Sequence, residues 1–269
     1  MMSSTLLDDR ALLEVRGAET RNFLQGLITN DIQKLAPDAP LYAALLTPQG
    51  KILGDFLLYA QPDSILLDCS GANASDLRTR FLRYRLRAKV EIALRDDLAI
   101  IVKWDNAEPK SNSWCDPRHP RLGWRTVASA PPMREPSSSR AYLDRRLALG
   151  IPEGADFGSD RMFALDADLD ELHGVSFDKG CYVGQELTAR MKHRGTARKR
   201  LLPVESDDAL PPSETSVTAH DREIGVITST YGRRGFAAIR LDRLAEAEGV
   251  PLHAAGIPVR VRKPDWLSA

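Results

Sequence analysis

The sequence predicts an α+β fold: two mixed subdomains, over 1–95 and 96–194, followed by a small β-barrel over 195–269. Three observations predict it. The chain has 269 residues, 43% hydrophobic and 28% charged, the balance of an ordinary globular protein that is too long for one average domain. Up to about residue 194, β-rich alternation is interleaved with short stretches of helical periodicity. Beyond it, short β-like runs alternate with turn residues.

Residues 11–16 alternate as a strand, and Gly17 releases the chain into a short helix over 18–24. Runs 41–46 and 52–60 flank Thr47-Pro48-Gln49-Gly50-Lys51, so a hairpin is expected there, with a third strand over 64–68. Residues 73–86 read as a helix because Leu77, Phe81, Leu82 and Leu86 share a face, and 88–94 returns as a strand. Arg78, Arg80, Arg83, Arg85, Arg87 and Lys89 form a basic stripe here. It reads either as a solvated face or as a hold for a phosphate backbone or polyanionic tail. Strands over 98–102 and 123–127 bracket a polar, Pro-bearing loop, 105–121, whose Cys115 and His119 lack partners at metal-ligand spacing. Residues 131–139, rich in Pro and Ser, read as a flexible connection and an insertion point. A helix over 141–149 is stopped by Gly150 and Pro152. Runs 201–205, 216–219, 223–229, 236–241 and 257–263 then supply five barrel strands, with Pro211-Pro212-Ser213 in a loop between them.

Lys plus Arg and Asp plus Glu number 37 each, so no global field draws the molecule to nucleic acid or an anionic membrane. Direct nucleic-acid binding is not expected, since no aromatic platform for single strands is evident either. The first ten residues lack the basic start and apolar run of a secretory signal. Apolar runs such as 98–102 fall far short of the roughly 18 residues that span a bilayer. A soluble, cytoplasmic protein without a membrane partner is the expectation. Cys69, Cys115 and Cys181 are odd in number and far apart, which fits a reducing compartment and offers no CxxC pair for zinc or a self-held cluster. One cysteine per subunit could still bridge two copies.

The densest chemistry lies in Asp178-Lys179-Gly180-Cys181-Tyr182-Val183-Gly184-Gln185-Glu186. Gly180 and Gly184 allow either a turn with positive φ or the close approach of a ligand. The residues after Gly184 are adequate helix formers, which sets Cys181 at or just before a helix N-terminus, where unpaired N–H groups and Lys179 favour a thiolate. The plain alternative is a small buried hydrophobe beside an ordinary turn. His173 and His193 flank this stretch as structural residues.

The octet Lys179 to Glu186 resembles the signature of the YgfZ-type folate-binding proteins and their mitochondrial iron–sulfur assembly relatives, in a superfamily that also holds the aminomethyltransferase of glycine cleavage. Phe23-Leu24-Gln25-Gly26 leading into Thr29-Asn30-Asp31 resembles that family's N-terminal signature, and 146–153 and 192–201 resemble two further blocks. The resemblance implies an aminomethyltransferase-like fold, with mixed subdomains around a central hole sized for tetrahydrofolate. It implies that Asp166 grips the pterin, that Asn30, Asp31, Gln185 and Glu186 belong to the site, and that Tyr182 and Arg198 serve the ring and the anionic tail. Cys181, with Lys179 beside it, is implied as nucleophile, redox thiol or transient cluster ligand; no resident metal is expected. The chain departs from the family by carrying Asp166 and Asp168 where relatives commonly have Glu and Asn. Aminomethyltransferases also carry a doubled aspartate where only Asp55 remains, and losing an acid or base removes about 10²- to 10⁴-fold of rate. A tetrahydrofolate-binding accessory factor for assembly or repair of iron–sulfur enzymes, including those that modify tRNA, is therefore expected ahead of a folate-dependent one-carbon transferase. An RNA-binding module is third. The expected partners are folate and iron–sulfur client or assembly proteins.

Overall fold

In a computed structural model of the chain, residues 3–105, 112–130, 139–195 and 198–268 are described. The connection expected over 131–139 lies outside them save for Ser139, as do part of the 105–121 loop and Thr196 and Ala197.

The chain opens with β1 (Ser3–Leu7) and β2 (Arg10–Arg16), then α1 (Thr20–Gln25), β3 (Leu41–Leu46), β4 (Ile52–Ala60), β5 (Ser64–Ser70), α2 (Ala74–Arg85) and β6 (Glu91–Leu94). Five of these strands form one antiparallel sheet in the order β3-β4-β5-β2-β6. The expected 41–60 hairpin is its edge. Phe56 and Phe81 meet edge-on at 5.9 Å, so α2 covers one face of this sheet with Leu77, Phe81 and the half-buried Leu82; Leu86, expected on that face, instead follows the helix end at positive φ and is exposed.

β1 does not join that sheet. It pairs with β7 (Leu98–Trp104) in a second one, ordered β1-β7-β9-β8, where β8 is Ser113–Cys115 and β9 is Trp124–Ser129. β1 and β8 were not expected as strands. α3 (Ser139–Leu149) follows, and its Tyr142, Leu147 and Leu149 enter the larger core with Leu7 and Trp104. After α4 (Gln185–Arg194), the chain closes a barrel from β10 (Lys199–Glu205), β11 (Ser216–Ala219), β12 (Arg222–Tyr231), β13 (Arg234–Arg240), β14 (Leu252–Ala254) and β15 (Ile257–Val261). The barrel has six strands, not the five expected. β14 is only three residues long and carries no alternation long enough to read, and residue 241 opens the short α5 (Leu241–Glu246) instead of ending a strand.

Where the two sheets and the barrel meet, the interior is ionic. Arg10 and Arg125 both hold Asp68, at 2.6 Å each, and Arg125 and Arg118 both hold Asp116, at 2.9 and 2.8 Å. Arg118 reaches Glu153 at 2.6 Å, and Arg146 continues the chain to Glu153 and Asp156. Asp156 accepts from Ser229 and Tyr231 of the barrel. Every one of these charges has an oppositely charged neighbour, the condition under which burial is tolerated.

Candidate functional site: the Cys181 loop

The two signature stretches, far apart in sequence, are one object in space. Thr29 Oγ1 donates to the Gly174 carbonyl at 2.6 Å while accepting from the Ala44 amide, and the Ser176 amide donates to the Thr29 carbonyl. Asn30 Nδ2 donates to the carbonyls of Tyr42 and His173, both at 2.8 Å, and the Val183 amide donates to Gly26. A loop without regular structure can be buried only if its backbone groups find partners, and here each stretch satisfies the other.

Lys179 locks the pair together. The residue is 7% exposed, and its ammonium donates three hydrogen bonds, to the carbonyls of Gln25 and Ile28 at 2.7 Å and of Asn30 at 2.8 Å. An ammonium has three donors, so none is left over. The same Nζ lies 5.0 Å from the Tyr182 ring centroid. Burial pushes the Lys179 pKa down to about 8, and Asp31 pulls the other way.

The helix behind the loop starts from Gly184, whose φ is +83°. A Cβ there would stand 2.5 Å from the Thr47 carbonyl oxygen, so the hairpin tip and the motif touch backbone to backbone. Gln185 Oε1 accepts from the Tyr182 amide at 3.2 Å, and Glu186 pairs with Arg190 along the exposed face of α4.

This leaves Cys181 exposed on a loop held from below, three residues ahead of the helix N-cap at Gly184, with Phe177 39% exposed on the same loop. No group among the described residues hydrogen-bonds its sulfur. The other thiols differ: Cys69 is buried and burial drives it up to about 12, while half-buried Cys115 is also raised by desolvation. Among the described residues, no cluster of His, Cys, Asp and Glu is arranged to hold a metal ion.

Of the residues expected at the site, Asn30, Asp31, Lys179, Tyr182 and Gln185 are thus gathered around the Cys181 loop. Asp31 caps the short helical turn that follows it, accepting from Gln33 and Gln25. Asp166 and Arg198 lie apart from that cluster. Asp166 is half-buried next to Lys199 and Arg200, and desolvation raises its carboxyl to about 6. Arg198 is exposed, with its backbone carbonyl tied to Leu241. Asp168 was read only as a departure from the family pattern, yet it is fully buried at φ +61°. Its Oδ2 accepts from Leu201, its Oδ1 has no hydrogen bond, and burial pushes its pKa well up. An Asn at such a left-handed position would have read as a turn residue.

Among the described residues, the cavity reaching β1, α3 and β12 measures about 110 Å³ and is lined by Leu7, Asp9, Tyr142, Arg146, Glu153 and Tyr231. Ligand pockets run to roughly 300–1,000 Å³, so these residues do not enclose a whole reduced folate. Both Glu153 oxygens are already taken by arginines, and Asp55 is spent on the Tyr42 hydroxyl and the Gly154 amide.

Comparison with known proteins agrees with this architecture. The family model for the CAF17 C-terminal β-barrel domain matches residues 198–269. The mitochondrial iron–sulfur cluster assembly factor IBA57 of Homo sapiens is 32% identical over 306 residues, covering 97% of this chain and 84% of the relative. The IBA57 homologue of Mycosarcoma maydis is 34% identical over 241 residues, 79% of this chain and 59% of the relative, so the chain spans well under two thirds of that protein's length. In fold, the chain superposes on the crystal structure of the glycine cleavage system aminomethyltransferase T from Bartonella henselae with a TM-score of 0.73 at 13% identity, covering 99% of this chain and 86% of the other. The fold is therefore aminomethyltransferase-like, with a C-terminal barrel, and the chain belongs to the IBA57 family.

Proposed function

We propose that this protein is an accessory factor in iron–sulfur cluster assembly that offers Cys181 as a transient cluster ligand. The observation that carries the reading is the contrast among the thiols: Cys69 is sealed, Cys115 is half-buried, and Cys181 stands in solvent on a loop that Lys179, Asn30 and Thr29 hold in place. A thiolate ligates iron by giving up its proton and donating a sulfur lone pair. A lone thiol cannot complete a cluster's coordination, and no metal-binding group stands among the described residues. The remaining ligands must come from a partner that carries the cluster. The names of the curated relatives, which are called iron–sulfur cluster assembly factors, point the same way.

The tetrahydrofolate expected from the resemblance carries no step of this proposal. Modification of tRNA by client enzymes enters only as a downstream effect of cluster supply. A one-carbon transferase finds no support in Asp55, which is buried with its two oxygens accepting from the Tyr42 hydroxyl and the Gly154 amide. Free thiols suit a reducing compartment, which the composition reads as the cytoplasm, whereas the curated relatives are named mitochondrial. Among the described residues, no helix is long and apolar enough to cross a membrane.

The test is Cys181→Ala in a strain lacking the protein. Unfolding is expected at the wild-type denaturant midpoint, while the activity of cluster-dependent enzymes fails to recover. Full recovery with the alanine variant refutes the proposal.

A further inference from the structure

Away from the Cys181 loop, the same lobe carries a groove of about 650 Å³ between the exit of α2 and the entry of α1, lined by Arg16, Gly17, Ala18, Asp63 and residues 85–91. The groove is built into the fold. Gly17 sits at φ +125°, where a Cβ would come within 2.2 Å of the Lys89 carbonyl oxygen. The Lys89 amide donates to Glu19, and Arg16 pairs with Glu91 at 2.5 Å along the rim.

Two features of its lip face solvent. Leu86 leaves α2 at φ 44° and ψ −107°, a region that costs a side-chain-bearing residue about 1–3 kcal/mol, and its side chain is 84% exposed. Strain held in order to show an apolar side chain to water is the reverse of what packing would select. Around it, Arg83, Arg85, Arg87 and Lys89 carry no side-chain partner among the described residues, although Arg80 is paired with Asp76 and Arg78 donates to the Ile92 carbonyl.

We propose that this groove docks an acidic segment of a partner protein, with carboxylates against Arg85, Arg87 and Lys89 and one apolar side chain against Leu86. Discrete cations around a hydrophobic point fit a peptide carrying both kinds of group. A nucleic acid fits less well. No aromatic ring lines the groove for a base to stack on, and the exposed Leu86 has no counterpart to meet on a phosphate backbone. The floor at Gly17 and Ala18 leads directly into α1, whose far end is the turn gripped by Lys179. The six residues of α1, about 9 Å of helix at 1.5 Å per residue, thus connect the groove floor to the turn that anchors the Cys181 loop. The inference goes beyond the role of the sulfur and stands without it.

Fluorescence anisotropy on the full chain tests it. The probes are a labelled acidic peptide with alternating Asp and Glu around one central Leu, the same peptide with Ser in place of that Leu, and a single-stranded oligonucleotide of equal charge. The Leu peptide is expected to bind in low salt, at least tenfold more weakly to the Arg85→Glu/Arg87→Glu double variant and severalfold more weakly to Leu86→Ser. The Ser peptide is expected to ignore the Leu86 change. Leu86→Gly, which relieves the left-handed backbone, is expected to raise the unfolding midpoint while weakening the Leu peptide, so that a loss of binding is separated from a loss of folding. Absence of peptide binding, equal binding by the double variant, or tighter binding of the oligonucleotide overturns the proposal.

Discussion

Replacing Lys179 with Met asks whether this ammonium is a scaffold or a reactant. The side chain is 7% exposed and meets the carbonyls of Gln25, Ile28 and Asn30 at 2.7–2.8 Å. Hydrogen bonds to a charged donor contribute roughly 1.5–3 kcal/mol each, so the three together amount to about 4.5–9 kcal/mol. Burying the ammonium itself costs several kcal/mol, which the Met variant is spared. The balance is a loss of about 3 kcal/mol, a large share of the roughly 5–15 kcal/mol that holds a domain folded. With a urea slope of about 2–3 kcal/mol per M, the midpoint should fall by about 1 M or slightly more. The turn after α1 and the Cys181 loop should loosen together, so hydrogen exchange should rise at residues 26–31 and 174–183 in step. An unchanged midpoint accompanied by lost cluster support would refute this reasoning and return Lys179 to the chemistry.

Arg118→Met removes the guanidinium that holds Asp116 and Glu153, and breaking a buried ion pair from one side costs about 3–5 kcal/mol, readable in the same denaturation. Arginine neighbours hold the carboxyls of both Asp116 and Glu153 below their usual range. Their contribution is thus fully present above about pH 4.5 and is lost as the pH falls through the native values, and the acid side of the stability curve should be shallower in the variant. Asp166→Asn carries the opposite sign. The native carboxyl titrates near 6 against a reference of 3.8, so the wild type loses stability as the pH rises between those values. The Asn variant should be the more stable protein at pH 7, with the gap gone below pH 4; a gap that persists in acid would mean packing, not charge, sets it.

Much of this was legible because it is local. The 41–60 hairpin, the α2 face of Leu77 and Phe81, and most barrel strands follow from alternation, helical spacing and turn residues read over short windows. The Cys181 loop was legible as a dense motif, and exposure of its sulfur was one of two readings that the residues allowed. What stayed hidden is what depends on distant partners. Ser3-Ser4-Thr5-Leu6-Leu7 carries no alternation to mark it as a strand, and nothing in Asp116-Pro117-Arg118 announces that both charges are buried, since Arg125 and Glu153 complete them from elsewhere. Lys179 was read beside the thiol as an electrostatic aid. Its side chain instead turns towards three carbonyls some 150 positions earlier, which no window along the chain could reveal.

The placement of β1 also constrains how the molecule is made. Residues 10–94 contain every strand of the first sheet, so that sheet can close while the ribosome is still translating. Ser3–Leu7 must wait, unpaired, until Leu98–Trp104 has emerged from the exit tunnel. During that interval a nascent chain trails a sticky segment that only its own later residues can mask. A chaperone that shields Ser3–Leu7 during this interval would raise the yield of native protein more than one acting after release.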